Sequence, residues 1–121
     1  MFVAFISPYG KDRNFAKEIH VADQIPFYEA YISASLECCE GRDVKGLYKK
    51  ARAGEIKNFT GISDPYEAPE HPDLDINTAQ LSLDASVNFV IDRMLKDGIL
   101  YNHNAVKIAQ TLYEVPTEAE L

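Results

Sequence analysis

The 121-residue sequence has little of the chemistry that marks secreted, metal-binding or membrane proteins. Its only cysteines, Cys38 and Cys39, are adjacent and cannot close a useful disulfide loop. None of His20, His71 and His103 lies at metal-ligand spacing. No apolar run approaches the ~20 residues that a membrane helix needs. We therefore predict buried, reduced thiols, no metal site and no membrane contact, in a cytosolic protein.

Basic residues are also scarce. Twelve Lys and Arg stand against nineteen Asp and Glu, which gives a net charge of −7. A phosphate backbone binds a basic face, so nucleic acid is not the expected main partner. The length and the 46% hydrophobic content are those of one globular domain, or a large part of one.

Hydrophobic periodicity predicts strands and helices in alternation. Apolar runs predict strands at 2–6, 27–32 and 74–77, the first of them buried on both faces. Helical spacing predicts helices at 14–21, 36–41 (capped by Ser33 or Ser35), 47–53 and from Ser82 to Gly98, and a weaker amphipathic turn at 106–113. This order predicts an α/β fold with a parallel sheet and right-handed crossovers. Ligands of such sheets bind beyond the carboxyl ends of the strands, where Ser7 and Ser33 lie.

One segment, residues 42–62, concentrates positive charge and glycine in this acidic chain, and we call it the lid segment. It contains half of the six glycines and six of the twelve basic residues, namely Arg42, Lys45, Lys49, Lys50, Arg52 and Lys57. Lysine supplies point charge, and glycine lets a backbone approach and move. The composition predicts a mobile segment that meets an anion, with phosphate the natural candidate. Residues 63–72, which carry three prolines, are predicted to be irregular and exposed.

The lid segment and residues 63–70 resemble the lid of adenylylsulfate kinases (APS kinases). The run Phe5-Ile6-Ser7-Pro8-Tyr9, followed by Asp12-Arg13, resembles that family's I-S-P-[YF]-x-x-D-R element. Together the two matches cover about residues 5 to 78. The resemblance implies a P-loop kinase that transfers the γ-phosphoryl group of MgATP to the 3′-hydroxyl of adenosine 5′-phosphosulfate (APS) and forms PAPS, the sulfate donor.

The resemblance also implies site residues. Ile6, Ser7, Lys45, Asn58 and Phe59 match positions at the APS site, where the Phe59 ring would stack on adenine. A serine aligned with Ser7 has been assigned as a phosphorylated intermediate in bacterial members. Direct in-line transfer favours substrate contact for Ser7, and capping of a strand end is the structural alternative.

A second set of positions concerns ATP. Arg42 and Leu81 match residues on either side of the ATP adenine. Within the family, Ile25-Pro26-Phe27 looks most like the animal bifunctional PAPS synthases, which implies a cytoplasmic and also a nuclear location. We expect residues 1–97 to be the C-terminal part of a kinase domain, and 98–121 to be a linker or tail toward an ATP sulfurylase domain.

The sequence departs from the family pattern in three ways. The phosphate loop G-x-x-x-x-G-K-[ST] and the acidic D-G-D-N element do not occur in it, so we expect the first strand, the P-loop and the Mg²⁺-binding groups to be absent. Asn58 stands where the family has glycine, and would be the least costly substitute if the backbone φ is positive. Ser33 and Ser35 replace the usual Asp and Pro.

Three interpretations stay open at this stage. The chain is an APS kinase domain that is inactive in isolation, a non-catalytic module that binds APS or PAPS, or a fragment of an incomplete or alternatively spliced coding sequence. A homodimer, or pairing with a full-length subunit, fits the second.

Overall fold

The computed structural model of the chain describes residues 1–100, which fall into two compact units. The first unit is Met1–Gln80, and the second begins at Leu81. The elements follow in the order α1 (Gly10–Ala22), β1 (Ala30–Ile32), α2 (Leu36–Arg42), α3 (Leu47–Arg52), β2 (Leu74–Ile76) and α4 (Leu83–Lys96). The predicted turn at 106–113 and the predicted tail lie outside the described residues.

The sheet of the first unit consists of two parallel strands. β1 pairs with β2 in the register Ala30 to Leu74, Tyr31 to Asp75 and Ile32 to Ile76. Leu74 and Ile76 point to the same side of their strand because side chains alternate, and both are buried. The predictions of a parallel sheet, and of a strand near 74–77, are confirmed. β1 is shorter than the predicted 27–32.

The first predicted strand is wrong. Residues 2–6 form no strand, and Phe2, Phe5 and Ile6 are 73%, 81% and 68% exposed. An apolar run becomes a strand only where another strand satisfies its backbone N–H and C=O groups. Within residues 1–100, the sheet contains only β1 and β2, and neither pairs with this run. The run is therefore irregular chain that leads to α1.

The helices match their sequence signals. α1 covers the predicted 14–21 and begins earlier, at Gly10, although Phe15 and Ile19 on its apolar side remain 65% and 48% exposed. Ser35, not Ser33, caps α2, and its Oγ accepts a hydrogen bond from the Cys38 amide at 3.1 Å. Ser33 instead extends the strand pairing by donating its amide hydrogen to the Ile76 carbonyl at 3.1 Å.

α4 belongs to the second unit and also begins as predicted. Ser82 is its N-cap, and the Ser82 Oγ accepts from the Ala85 amide at 3.1 Å. The helix ends at Lys96, before Gly98, as the sequence predicts. Among the described residues, no helix has the length and the apolar character that crossing a membrane requires.

Candidate functional site

Ser7 lies on the irregular run before α1 and has an unusual backbone conformation. Its φ is 41°, in the left-handed region that residues with a side chain rarely adopt. A conformation of this kind costs of order 1–3 kcal/mol and persists only when the surroundings hold it. Two hydrogen bonds do so here. The Ser7 carbonyl accepts from Arg13 Nη1 at 2.6 Å, and the Pro8 carbonyl accepts from the Glu67 amide at 2.8 Å.

Arg13, in the first turn of α1, connects three separate parts of the first unit. Besides the bond to Ser7, its Nε donates to Glu29 Oε2 at 3.2 Å, and its Nη2 donates to the Glu67 carbonyl at 2.6 Å. The guanidinium carbon lies 5.9 Å from the centre of the Tyr66 ring. The Arg13 side chain is only 12% exposed. The arginine of the D-R pair therefore fixes the Ser7 loop to the strand region and to the acidic loop.

The lid segment begins with a turn that Asp43 organises. Asp43 is the C-cap of α2, and its two carboxylate oxygens accept from the Tyr48 amide at 2.9 Å and the Lys49 amide at 3.0 Å. Gly46, at the N-cap of α3, has φ +66 and donates to the Asp43 carbonyl at 2.9 Å. The carboxylate also lies at the helix N-terminus, where the dipole favours negative charge. Lys45 is held within this turn and is exposed.

A second tight turn, at 58–64, holds Phe59. The Phe59 carbonyl accepts amide hydrogens from residues 62, 63 and 64 at 3.0 to 3.1 Å, and its own amide donates to Ser63 Oγ at 2.7 Å. Asn58 has φ 56, so the expectation of a positive φ at this position is correct. Gly61 has φ +88, and a Cβ there would lie 3.3 Å from Leu36 Cδ1, so both backbone and space require glycine.

An open cleft of about 570 Å³ lies in the first unit beside the end of β1. Ile6, Ile32, Ser33, Asn58 and Phe59 are among the residues that line it. The cleft thus lies beyond the carboxyl end of a parallel strand, as expected for a ligand site of such a sheet. Most of its lining is apolar, and this suits a flat ring better than a charged group.

A second, shallower cleft of about 360 Å³ adjoins the first, and its surface is also mostly apolar. Arg42, Asp43, Lys45 and Phe59 are among its lining residues, and Cys39, Tyr48 and Phe59 line both clefts. The rings of Tyr48 and Phe59 meet edge to face, with centroids 5.0 Å apart and planes at 72°. This aromatic pair stands where the two clefts meet, and the cationic residues Arg42 and Lys45 are in the lining of the smaller cleft.

Arg42 is held in place on the surface of the first unit. Its Nη1 donates to Thr78 Oγ1 at 3.0 Å and its Nη2 to the Thr78 carbonyl at 2.7 Å. Two bonds to one residue fix the plane of the guanidinium and leave its faces free to stack. Leu81 opens the second unit just before α4 and is 37% exposed.

Two tyrosines near the clefts have raised pKa values. Burial is the main cause that raises the pKa of Tyr48, and contact with Cys39 raises it further. Burial likewise raises the pKa of Tyr66, against the lowering effect of the Arg13 charge. Tyr66 also stacks on Tyr31, with centroids 6.2 Å apart. Both phenols therefore act as aromatic surfaces and hydrogen-bond donors at neutral pH.

Of the seven site residues that the sequence predicts, five line the two clefts. Ile6, Asn58 and Phe59 line the larger one, and Arg42, Lys45 and again Phe59 line the smaller one. Ser7 lines neither cleft, although it is adjacent to Ile6. The thiols of Cys38 and Cys39 are free and half-buried, so the prediction that they are buried is not confirmed.

Sequence reasoning missed three residues that organise the site: Arg13, Asp43 and Tyr48. Arg13 entered the sequence comparison only as part of the Asp12-Arg13 motif, with no role of its own. Asp43 could have been recognised as an acidic cap just before a short helix. Tyr48 gave no signal that separates it from a core aromatic residue. Among residues 1–100, no three His, Cys, Asp or Glu side chains come together in a way that could hold a metal ion.

Known proteins share much of this sequence and fold. A family model described as adenylylsulphate kinase matches residues 1–77. The adenylyl-sulfate kinase of Halothermothrix orenii is 53% identical over 97 residues, which are 80% of this chain and 50% of that protein. The adenylyl-sulfate kinase of Acaryochloris marina is 52% identical over 97 residues, 80% of this chain and 46% of that protein.

The similarity extends to three dimensions. The structure of the Mycobacterium tuberculosis APS kinase CysC in complex with AMPPNP and APS aligns with a TM-score of 0.69 at 45% identity. That alignment covers 73% of this chain and 50% of the other chain. The chain thus spans about half the length of the curated relatives it matches.

Proposed function

We propose, from the premise that this chain belongs to the adenylylsulphate kinase family, that it supplies the lid and most of the APS-binding surface of an adenylylsulfate kinase. In that reaction the 3′-hydroxyl oxygen of APS attacks the γ-phosphorus of ATP. The bond from that phosphorus to the β,γ-bridging oxygen breaks, and the products are PAPS and ADP. The observation that carries the proposal is the family match over residues 1–77, together with the convergence of five predicted residues on two adjoining clefts.

APS would bind across both clefts. The Phe59 ring, held by its tight turn, would stack on the adenine, and such stacking needs only a flat apolar surface. The anionic phosphosulfate would then extend toward the lid segment, where Lys45 provides positive charge. Ile6, with Asn58 opposite the ring, would line the apolar pocket, and Ser7 would contact the substrate through its loop. The presence of Arg42 and Lys45 in the lining of the smaller cleft, and of no lysine or arginine in that of the larger one, supports this orientation.

ATP would meet the first unit at Arg42, and Leu81 is assigned to the ATP adenine by the family resemblance alone. The two bonds from Arg42 to Thr78 support a stacking role, because they hold the guanidinium plane still before a ligand arrives. Phosphoryl transfer depends on positioning and on neutralising phosphate oxygens more than on covalent help from the protein. A basic lid segment that covers the nucleotides and excludes water would contribute both.

Magnesium would enter with ATP rather than through this chain. The described residues bring no three candidate metal ligands together, so we assign no Mg²⁺ ligand to residues 1–100. The 121 residues also lack the G-x-x-x-x-G-K-[ST] motif, whose backbone N–H groups hold the β- and γ-phosphates in P-loop kinases. We therefore expect the isolated chain to bind APS but not to turn it over.

A second function follows from the same observation. A chain that binds APS or PAPS without a phosphate loop would act as a binding or dimerising module, alone or beside a full-length kinase subunit. In either case we assign residues 1–97 to the kinase domain and residues 98–121 to a linker. The similarity of Ile25-Pro26-Phe27 to animal PAPS synthases favours a linker or tail of the kind that leads to the ATP sulfurylase domain in those proteins. We place the activity in the cytoplasm, where ATP is available, and a nuclear pool stays a prediction of that similarity.

A transfer assay with γ-labelled ATP and APS tests the proposal. The purified chain should form no labelled PAPS alone, and Phe59→Ala should weaken APS binding while Phe89→Ala, a change in α4, should not. Labelled PAPS from the chain alone would contradict the expected inactivity, although not the family function. Equal APS binding by wild type and Phe59→Ala would contradict the assigned site.

A further inference from the structure

Arg13 differs from the other arginines near the clefts in how completely its donors are used. Nε, Nη1 and Nη2 each donate to a different segment, at Glu29, Ser7 and Glu67. These three segments are the approach to β1, the run before α1 and the acidic loop after the lid segment. By comparison, Arg52 donates from Nε and Nη2 to the single residue Glu40, and its side chain is 58% exposed. The Arg13 side chain is 12% exposed.

The position of Arg13 in its helix explains how it reaches back to Ser7. Side chains of a helix tilt toward its N-terminus, and Arg13 lies in the first turn of α1. The Ser7 carbonyl, six residues earlier, therefore lies within its reach at 2.6 Å. On the other side of the loop, Glu67 accepts from the Gly10 amide through Oε2 at 2.8 Å. The loop is thus fastened at both ends to the same acidic segment.

The conformation that these bonds hold is the unfavourable one. Ser7 has φ 41, and nothing in its own side chain favours that region as Gly or Asn would. A rare backbone conformation survives where the surroundings determine it, and it is typical of ligand-binding loops. The next residue toward the cleft, Ile6, lines the larger cleft directly. Release of the Ser7 carbonyl would therefore move the cleft wall.

We propose that Arg13 is a positioning residue of the APS site, which acts by holding Ser7 in its left-handed conformation and thereby fixing Ile6 at the wall of the larger cleft. The inference rests on the proposed function for the identity of the ligand. The hydrogen bond between Arg13 and Ser7 is a property of the fold and does not depend on the identity of the ligand. Lysine cannot replace Arg13, because one ammonium group cannot serve three acceptors in the directions of the guanidinium fork.

The alternative is that Arg13 only stabilises the first unit. Three variants separate the two roles. Arg13→Lys keeps the charge but loses the fork. Glu29→Gln removes the charge of the ion pair and keeps an amide oxygen that accepts from Nε, so the bond to Ser7 survives. Arg93→Ala is the matched control, since it removes an arginine that pairs with Asp97 at 2.7 Å within α4 and its C-cap.

The experiment combines calorimetric titration of the full 121-residue chain with APS and NMR of the Ser7 backbone, alongside thermal unfolding of each variant. Arg13→Lys should weaken APS affinity by about tenfold, as expected when one substrate contact is lost. The Ser7 carbonyl-carbon resonance should shift in the same variant. Glu29→Gln and Arg93→Ala should lower the unfolding temperature slightly and leave both the affinity and the Ser7 resonance near wild type.

Each outcome of these measurements tests either the role of Arg13 or the proposed function. An unshifted Ser7 resonance in Arg13→Lys overturns the inference, whether or not APS binds. A shifted resonance with unchanged APS affinity also overturns it, because Arg13 would then hold the loop without positioning the site. Equal loss of affinity in Glu29→Gln and Arg13→Lys, in proportion to lost stability, makes Arg13 merely structural. Failure of the wild-type chain to bind APS refutes the proposed function, and the Ser7 resonance still tests the link to Arg13.

Discussion

Replacement of Asp43 by alanine should open the start of the lid segment while the rest of the first unit stays folded. The Asp43 carboxylate accepts from the amides of Tyr48 and Lys49, at 2.9 and 3.0 Å, and it is the side chain that caps α3. Gly46, the formal N-cap of this helix, has no side chain that could accept a hydrogen bond. Asp43→Ala therefore leaves two amide hydrogens of the first turn without their acceptor.

The magnitude follows from the cap and from the length of the helix. Loss of an N-capping side chain costs about 0.5–2 kcal/mol. α3 has six residues, well under the ~12–15 that an isolated helix needs for even marginal stability. With two amides affected, we expect a local loss of about 1–2 kcal/mol, which corresponds to a factor of roughly 5–30 in the open population. Asp43→Asn keeps one acceptor oxygen and should lose about half as much.

Amide hydrogen exchange measures this loss residue by residue. The amides of Tyr48 and Lys49 should exchange about 5–30 times faster in Asp43→Ala, and those of β2 should be unchanged. Asp84→Ala is the control, because Asp84 lies in the first turn of α4, where Ser82 provides the cap. Unchanged exchange at Tyr48 and Lys49 would show that the carboxylate does not hold the lid segment in place.

Three further predictions concern the same region. Asn58→Gly should stabilise the chain by up to about 1 kcal/mol, whereas Asn58→Ala should destabilise it by about 1–2 kcal/mol, because φ is 56 at this position. Urea denaturation of both variants measures these changes in the free energy of unfolding. A stabilising alanine would be inconsistent with a left-handed residue at position 58. Tyr48→Leu should lower the free energy of unfolding by about 0.5–1.5 kcal/mol, because it removes the edge-to-face contact with the Phe59 ring. Tyr48→Phe keeps the ring and should keep the stability that this contact contributes. Equal losses of stability in the two variants would exclude the ring contact as the cause. The Arg52 hydrogen bond lowers the pKa of Glu40 below 4.5, so this pair stabilises the fold above pH 4.5 and loses that contribution as the pH falls through the lowered value. Glu40→Gln should therefore make the free energy of unfolding less dependent on pH in the acid range. An unaltered stability–pH profile would show that the pair contributes nothing.

The sequence predicted local structure well because the signals for it are local. The serine caps of α2 and α4 lie next to the residues that they cap, and the helices begin and end close to the predicted positions. The apolar run at 2–6 failed as a strand because a strand depends on a hydrogen-bonded neighbour that periodicity cannot supply. β1 is shorter than predicted for a related reason, since it pairs only along the three residues of β2.

The candidate site shows a similar division. Resemblance to a family identified Lys45 and Phe59, and both line the smaller cleft. It could not show that Asp43 caps the helix that follows, or that Tyr48 supports the Phe59 ring. It also gave Arg13 no role, because its acceptors on Glu29 and Glu67 are distant in sequence and meet only in the folded chain. Such contacts depend on tertiary packing rather than on composition or spacing.

The most direct test of the account is a calorimetric titration of APS into the purified 121-residue chain and into its Lys45→Ala variant. Lys45 lines the smaller cleft together with Phe59, whereas Lys17, an exposed lysine of α1, lies outside both clefts and provides the control variant Lys17→Ala. The account predicts binding by the wild type and by Lys17→Ala, and affinity about tenfold or more lower in Lys45→Ala, as for loss of a charge-assisted contact. Absence of binding by the folded wild type, or equal affinity in all three proteins, would contradict it.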